Sequence, residues 1–222
     1  MWEYFRQVAN LSEMRNEKSG EKLLVRKFEK LPFVDEKSVL AKYLNTDRKE
    51  NEERKEDWIP IFPFGCNNSQ YKAVKRAMEN QISVIQGPPG TGKTQTILNI
   101  IANILMQGKS VQVVSNNNSA TDNVYEKLAS PKYGMGFLVA ALGNSKNKQT
   151  FIQQQNGCYP DLSTWRLETD PNDLKEEIFK KSKELKTVFD KKERLSDLRQ
   201  EYSQMMTELE YFRQYIEESD VD

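Results

Sequence analysis

The chain has 222 residues, 37% of them hydrophobic and 30% charged, with 33 basic and 33 acidic side chains and no histidine. Without histidine, Ser-His-Asp and Cys-His catalytic groups and histidine-based metal sites are excluded. The high charge and low apolar content predict one packed region joined to long, solvated helices.

The cysteines and the apolar runs indicate the compartment. Cys66 and Cys158 lie far apart without CxxC spacing, so neither a disulfide framework nor a zinc site is indicated. A reducing interior is then the default. Residues 97–106 are the longest apolar stretch, contain two asparagines and are too short to span a bilayer, and residues 1–10 lack the apolar core of a signal peptide. We expect a soluble cytoplasmic protein without a membrane partner.

Residues 1–59 form the first predicted segment, which is mainly helical. Apolar residues recur there at helical spacing in two groups: Leu23, Leu24, Phe28 and Leu31, then Val39, Leu40, Tyr43 and Leu44. Residues 47–57 are almost wholly charged and predict an exposed linker. Pro60 and Pro63 interrupt any helix, so a new domain is expected to begin at residue 60.

Residues 60–168 alternate between helix and strand patterns. Helices are predicted at 69–79, 93–106 and 120–128, and strands at 82–86, 111–115 and 137–142. This order predicts an α/β fold, a parallel sheet with helices on its faces. Residues 61–150 also carry nine basic against three acidic side chains, which favours a polyanion site there. A solvated basic surface without a ligand would have the same composition.

Residues 169–222 form the third predicted domain, a helical arm. Asp170 and Pro171 have the pattern of an N-cap followed by proline at the first helical position. No glycine or proline follows up to residue 219, and apolar residues step by three and four at Leu195, Leu198, Tyr202, Met205, Leu209, Phe212 and Ile216. We expect two antiparallel helices or one long interrupted helix, packed as a coiled-coil arm that contacts a protein partner. A single helix lying across a further domain fits nearly as well.

Residues 87–94, Gly-Pro-Pro-Gly-Thr-Gly-Lys-Thr, match the P-loop pattern GxxxxGK[ST] between a predicted strand and a predicted helix. Glycines let backbone N–H groups surround phosphates, the lysine adds a positive charge, and the threonine hydroxyl binds Mg²⁺. Lys93 and Thr94 are the predicted catalytic residues, and Thr94 is the predicted metal ligand. The predicted nucleotide contacts in this segment are Gly87, Pro89, Gly90, Thr91, Gly92, Lys93, Thr94 and Gln95.

Two polar elements flank the P-loop in the sequence. Gln70 stands at the start of a predicted helix, and its amide offers the donor and the acceptor that suit the adenine edge, although a glutamine there is more often a solvated surface residue. Asn117, Asn118 and Ser119 follow the second predicted strand, where α/β sheets bind ligands. They are predicted to contact the backbone of single-stranded nucleic acid. A capping loop with asparagine turns is the alternative.

These segments together resemble the Upf1-like superfamily 1 helicases. The Asn-x-Ser-Gln-x-x-Ala-Val pattern occupies residues 67–74, motif I is complete at 87–94, and motif Ia aligns with 117–122. Residues 142–144, Leu-Gly-Asn, resemble the family's Arg-Leu-Gly element, with Ala141 in place of arginine. The resemblance implies a RecA-like fold in which Gln70 contacts adenine, Lys93 and Thr94 serve the phosphates and Mg²⁺ of ATP, and Asn118 with its neighbours contacts a single strand.

The family's motif II, an apolar strand ending in Asp-Glu, has no match after residue 145. The Val-Asp-Glu at 34–36 precedes the P-loop and has too few apolar neighbours for a central strand. The chain therefore resembles an N-terminal part of such a helicase with an incomplete sheet. Because phosphoryl transfer needs metal, positioned water and a neutralising arginine, we expect ATP binding with little hydrolysis.

The sequence thus predicts the ATP-binding part of a superfamily 1 helicase, an ATP-dependent hydrolase that as a whole protein moves along or unwinds nucleic acid, with DNA favoured over RNA. Three alternatives stay open. They are an AAA+ ATPase, a chromosome-maintenance ATPase with a P-loop and coiled coil, and a non-catalytic nucleotide-binding module whose arm recruits a partner.

Overall fold

The computed structural model describes residues 2–16, 19–30, 33–45, 58–143, 145–155, 157, 161 and 163–219. Four predicted features therefore lie wholly or partly outside the described residues: the linker at 47–57, Leu31, Asn144 and Cys158. The regular structure of the described residues is helical. It comprises α1 (Trp2–Leu11), α2 (Leu23–Glu29), α3 (Val39–Leu44), α4 (Asn68–Glu79), α5 (Lys93–Met106), α6 (Asn118–Ala129), α7 (Ser145–Gln154) and α8 (Pro171–Ser219), with short 3-10 turns at Gly136–Leu138 and Ser163–Trp165.

The predicted α/β sheet is wrong for the described residues. Residues 82–86 and 111–115 have no regular structure, and the segment predicted as the third strand begins inside a 3-10 turn. Val84 is 83% exposed and Val114 is 78% exposed, where a central strand would bury both. The described residues contain one isolated antiparallel bridge, between Arg15 and Lys22, and no strand.

The physical reason lies in where each element finds its hydrogen bonds. A helix pairs its N–H and C=O groups within its own segment, whereas a strand needs a second strand beside it. A β-branched run therefore fits a pleated, half-buried surface but does not create one. The predicted helices at 69–79, 93–106 and 120–128 are confirmed as α4, α5 and α6, because each forms independently of a sheet.

The chain divides into two compact units. The first comprises Met1–Glu56 and Arg76–Gln86, and the second Asp57–Lys75 and Gly87–Asp222. In the first unit α1 packs against α2, where the rings of Trp2 and Phe28 lie 4.9 Å apart. The predicted domain limits at 59/60 and 168/169 stay predictions.

The second unit has a small apolar core between α5 and α6. It consists of Leu98, Ile101, Val124 and Leu128, with Phe64, Met135 and Val139 packed against it. The segment after α6 turns back along that helix, because Met135 N donates to Leu128 O at 2.8 Å. This core fixes the direction of α5 and therefore the place where the P-loop opens into the helix.

The predicted arm is one uninterrupted helix of 49 residues, α8, so the antiparallel pair is wrong. At 1.5 Å per residue it extends for about 74 Å. Asp170 is confirmed as its N-cap, because Asn172 N donates to Asp170 Oδ1 at 2.7 Å. Among the helices of the described residues, none is long and apolar enough to cross a membrane.

Candidate nucleotide-binding site

The P-loop backbone turns twice through the left-handed region before α5 begins. Gly90 has φ of 84° and Gly92, the N-cap of α5, has φ of 81°. Side chains rarely adopt this conformation, so glycine is needed at both turns. Thr96 N donates to Gly92 O at 3.0 Å, and α5 therefore starts directly at the loop with its first N–H groups facing it. Such a helix start favours an anion.

Side chains of the loop itself hold this turn. Lys93 Nζ donates to Gly87 O at 2.5 Å and to Pro88 O at 2.9 Å, so the ammonium lies across the loop. Thr91 Oγ1 donates to Pro88 O at 2.8 Å, and a Cβ on Gly87 would lie only 2.8 Å from that hydroxyl. Pro89 and Gly90 form the exposed tip, and Thr94 is half-buried at the second position of α5.

Gln70 joins α4 to the P-loop. Its Oε1 accepts from Asn67 N at 2.9 Å while Gln70 N donates to Asn67 Oδ1 at 2.9 Å, which is the reciprocal pattern of a capping box. Its Nε2 donates to Gly92 O at 3.2 Å and to Gln95 Oε1 at 3.1 Å, with a longer contact to Thr91 O. At 7% exposure Gln70 is not a solvated surface residue. Both amide atoms have protein partners, and the adenine contact stays a prediction.

Three side-chain amides along α5 bind the segment that precedes α4; we call Gln95, Asn99 and Asn103 the amide row. Phe64 N donates to Asn99 Oδ1 at 3.2 Å and Asn99 Nδ2 donates to Gly65 O at 2.8 Å. Asn103 exchanges bonds of 2.9 and 2.8 Å with the N–H and C=O of Ile61, and Gln95 Nε2 donates to Phe64 O. The amides thus satisfy backbone groups of residues 61–65, a segment that turns at Pro63 and Phe64.

The sequence interpretation missed the structural role of this row. Asn99 is fully buried and Asn103 is 2% exposed, although in the sequence both stand out only as interruptions of an apolar run. The available signal was their spacing, since residues 95, 99 and 103 recur every four positions on one face of a helix. A buried amide requires partners for its donor and acceptor groups, and here the partners are backbone groups of residues 61–65.

The predicted nucleic-acid residues form the start of α6. Asn117 is its N-cap, and its Oδ1 accepts from Ser119 N at 3.0 Å. Asn118 and Ser119 are exposed, and Asn118 Oδ1 lies 3.7 Å from the position that a Cβ on Gly143 would occupy. The capping interpretation is therefore confirmed for Asn117, while nucleic-acid contact stays a prediction. The hydrogen bonds that the structure gives these residues stay within their own loop, whereas Gln70, Thr91, Gly92 and Gln95 come together at the P-loop.

The one cysteine of the site region has a perturbed thiol. Cys66 follows the segment bound by the amide row, and its partial burial raises the pKa of the thiol. A raised pKa keeps the thiol protonated at neutral pH, which lowers its nucleophilicity. Cys66 therefore has the character of a packing residue beside the loop.

Parts of the sequence are similar to known helicases and to a regulator of nonsense transcripts. DNA polymerase alpha-associated DNA helicase A of Schizosaccharomyces pombe is 43% identical over 73 residues, which are 32% of this chain and 11% of that protein. The regulator of nonsense transcripts 1 homolog of Drosophila melanogaster is 44% identical over 63 residues, 28% of this chain and 5% of that protein. The DNA replication ATP-dependent helicase/nuclease DNA2 of Xenopus laevis is 34% identical over 151 residues, 66% of this chain and 13% of that protein.

The chain thus spans a small share of these relatives, and no solved structure matches it significantly. The sequence profile of the AAA_11 family, described as an AAA domain, matches residues 65–221, which include the P-loop, the amide row and the whole of α8. The chain belongs to this AAA_11 family, the AAA domain of Upf1-like superfamily 1 helicases.

Proposed function

We propose that residues 87–94 bind the phosphates of ATP together with Mg²⁺, and that in the whole protein this site drives movement along a single strand of nucleic acid. One observation carries the proposal. The loop turns at Gly90 and Gly92 into the first N–H groups of α5, with the Lys93 ammonium lying across it. A nucleoside triphosphate is the polyanion that this arrangement suits.

Lys93 supplies the charge of the proposed site. Its Nζ is bonded to two neutral carbonyl oxygens, those of Gly87 and Pro88. Phosphate oxygens are stronger partners for an ammonium than neutral carbonyls are, because their negative charge adds a Coulombic attraction to the hydrogen bond. The lysine therefore gains by exchanging the loop carbonyls for phosphate oxygens, which gives the site affinity for the β- and γ-phosphates.

Thr94 is the group of the loop that fits Mg²⁺. Its hydroxyl is a hard oxygen donor, half-buried at the second position of α5 and next to Lys93. Mg²⁺ prefers oxygen ligands and commonly takes few protein groups together with phosphate oxygens. A bound Mg²⁺ would neutralise charge on the phosphates, and Thr94 is the residue that would hold it.

We further propose that the chain alone hydrolyses ATP slowly. The P-loop supplies positive charge and backbone donors, but efficient transfer also needs a metal-binding carboxylate, a positioned water and an arginine at the phosphate. The 222 residues contain no Asp-Glu at the end of an apolar run after the P-loop. Binding with little turnover is therefore expected of the isolated chain.

The nucleic-acid part of the proposal rests on the start of α6. Asn118 and Ser119 are exposed there, and their short polar side chains can donate to phosphate and sugar oxygens without reading base identity. The relative from Schizosaccharomyces pombe is named a DNA helicase, which supports DNA as the ligand, whereas another relative, from Saccharomyces cerevisiae, is named a putative ATP-dependent RNA helicase. We propose a single-stranded, sequence-tolerant ligand, with DNA favoured, in the cytoplasm.

The first test is a titration of the whole chain with a fluorescent ATP analogue and Mg²⁺. Lys93→Ala is expected to weaken binding by a hundredfold or more, on the order of the loss of a charged contact to phosphate. Lys127→Ala on α6 is the matched control, since it removes an exposed lysine outside the loop. Equal affinity of the Lys93→Ala and Lys127→Ala variants would overturn the site assignment.

The second test is phosphate release with and without single-stranded DNA or RNA. We expect little release in either case and salt-dependent oligonucleotide binding that Asn118→Ala weakens. Fast, strand-stimulated release would contradict the proposal of low turnover and would mean that a metal-binding carboxylate elsewhere in the chain completes the site.

A second candidate function is supported by the surface of α8. Seven apolar side chains at heptad spacing, Leu195, Leu198, Tyr202, Met205, Leu209, Phe212 and Ile216, are each 40% exposed or more. A nucleotide-binding interaction module would use this stripe to associate with a second copy of the chain. This candidate would be favoured over the helicase if the chain sedimented in a concentration-dependent way that Leu209→Glu abolished. The chain would also have no affinity for oligonucleotides.

A further inference from the structure

The first half of α8 is attached to α4 by two contacts one helical turn apart. Phe189 is the one buried residue among the 49 of α8, and its ring centroid lies 5.7 Å from that of Tyr71. One turn later the Glu193 carboxylate accepts from Lys72 Nζ at 2.7 and 2.8 Å and from Asn68 Nδ2 at 3.3 Å. After Phe189 every side chain of α8 is exposed, whereas Leu174, Ile178, Ser182 and Leu185 before it are half-buried.

The same turn of α4 contacts the P-loop on its other side. Gln70 stands between the arm contacts at Asn68 and Lys72, and its Nε2 donates to the carbonyl oxygen of Gly92. Tyr71 also packs against Phe62, at 5.2 Å between ring centroids, in the segment bound by the amide row. A single rigid turn of helix, residues 68–72, therefore lies between α8 and the phosphate loop.

We propose that Glu193 is a positioning residue for nucleotide binding, which acts by holding the first turn of α4, and with it Gln70, against the P-loop. The inference rests on the proposed function, ATP binding by residues 87–94. Docking of α8 on α4 and ATP binding then strengthen each other, because coupling between two binding events is reciprocal. The attachment of α8 to α4 is then expected to be tighter when nucleotide is bound.

The exposed ion pair between Lys72 and Glu193 is better suited to coupling α8 to the P-loop than to stabilising the fold. The side chains of Lys72 and Glu193 are each 47% exposed, and ion pairs at such exposure contribute little to folding stability. The hydrogen bonds from Lys72 and then Asn68 lower the pKa of Glu193, so the carboxylate is ionised at neutral pH. Its removal is expected to leave the fold intact while α4 gains freedom to shift against Gly92.

The experiment measures the affinity of the whole chain for a fluorescent ATP analogue with Mg²⁺ in four proteins. They are the wild type, Glu193→Gln, the control Glu201→Gln two turns further along α8, and the charge swap Lys72→Glu with Glu193→Lys. We expect Glu193→Gln to bind the analogue roughly two- to fivefold more weakly than the wild type. Glu201→Gln should keep the wild-type affinity, and the charge swap should recover it. The thermal unfolding midpoint is expected to stay the same in all four.

Hydrogen exchange supplies the reciprocal measurement. With the ATP analogue bound, amides of α8 near residues 189–193 are expected to exchange more slowly in the wild type and less so in Glu193→Gln. Equal affinity of Glu193→Gln and Glu201→Gln, or a charge swap that restores nothing, would overturn the positioning role while leaving the proposed function standing. No binding of the analogue by the wild type would overturn both.

Discussion

Helices α5 and α8 have similar apolar periodicities but differ in how much of each helix is buried. Five of the 14 residues of α5 are buried, Thr96, Leu98, Asn99, Ile101 and Asn103, whereas one of the 49 residues of α8 is buried. In α5 some of the most deeply buried side chains are amides, and in α8 the exposed stripe is apolar. Periodicity therefore identifies a helix and its apolar face, but burial depends on what packs against that face.

The contrast extends to what each helix does for the nucleotide site. Helix α5 begins at the P-loop and is fixed from two sides, by the apolar core with α6 and by the amide row. Helix α8 touches the same region through one turn, at Phe189 and Glu193. Substitutions of the buried side chains of α5 should therefore act on stability, and substitution of Glu193 on α8 should act on coupling.

The largest expected difference comes from the same truncation in the two environments. Leu128→Ala opens the core between α5 and α6 and is expected to lower the free energy of unfolding by about 2–5 kcal/mol. Leu209→Ala on α8 removes an exposed side chain and should change it by less than about 0.5 kcal/mol. Urea denaturation followed by intrinsic fluorescence compares the two. A large loss in Leu209→Ala would mean that the stripe of α8 is covered in solution.

The amide row gives the next effect. Asn99→Ala leaves Phe64 N and Gly65 O without their partner, and an unpaired buried polar group costs about 1–3 kcal/mol. We expect a loss of about 2–4 kcal/mol in the free energy of unfolding, against less than about 0.5 kcal/mol for the exposed Gln204→Ala on α8. If Asn99→Ala were as mild as Gln204→Ala, water would replace the amide at this site and the row would not hold the segment.

Alanine substitutions at two glycines distinguish the effect of backbone strain from the effect of a side-chain collision. Gly92 and Gly108 both have left-handed φ, of 81° and 68°, but a Cβ would collide with Gln70 Nε2 only at Gly92, while Gly108 has open space. Alanine at either position should cost about 1–2 kcal/mol in stability. Only Gly92→Ala should also weaken binding of the ATP analogue, by roughly tenfold, because it displaces the amide that holds the loop. Equal affinities in the two variants would mean that Gln70 does not hold the loop for nucleotide binding.

The sequence predicted some levels of this structure and not others. The P-loop pattern, the boundaries of α5 and the Asp170 cap follow from local rules, since turns, caps and helices satisfy their own backbone groups. The prediction of a sheet is wrong because residues 82–86 and 111–115 have strand composition but no neighbouring strand among the described residues. No local rule reveals whether such a neighbour is present.

The site shows the same division. The residue types predicted to contact phosphate follow from the pattern at 87–94, but the role of Gln70 in a capping box and in holding Gly92 depends on the packing of α4 against the loop. The ion pair between Lys72 and Glu193 joins residues far apart in the sequence, and neither lies in a motif. Contacts of this kind depend on tertiary structure, which a single sequence pattern does not encode.

The smallest effect tests whether α8 is attached to α4 in solution. Because Lys72 and Asn68 stabilise the ionised carboxylate, the pKa of Glu193 lies below its usual value. The contact is therefore fully present above the usual pKa and is lost as the pH falls through the lowered one. In a carbon-13 NMR titration, the Glu193 carboxyl should titrate at lower pH in the wild type than in Lys72→Gln. Equal midpoints would show that the ion pair is not formed, and the attachment of α8 would then depend on the rings of Tyr71 and Phe189 and on the hydrogen bond from Asn68.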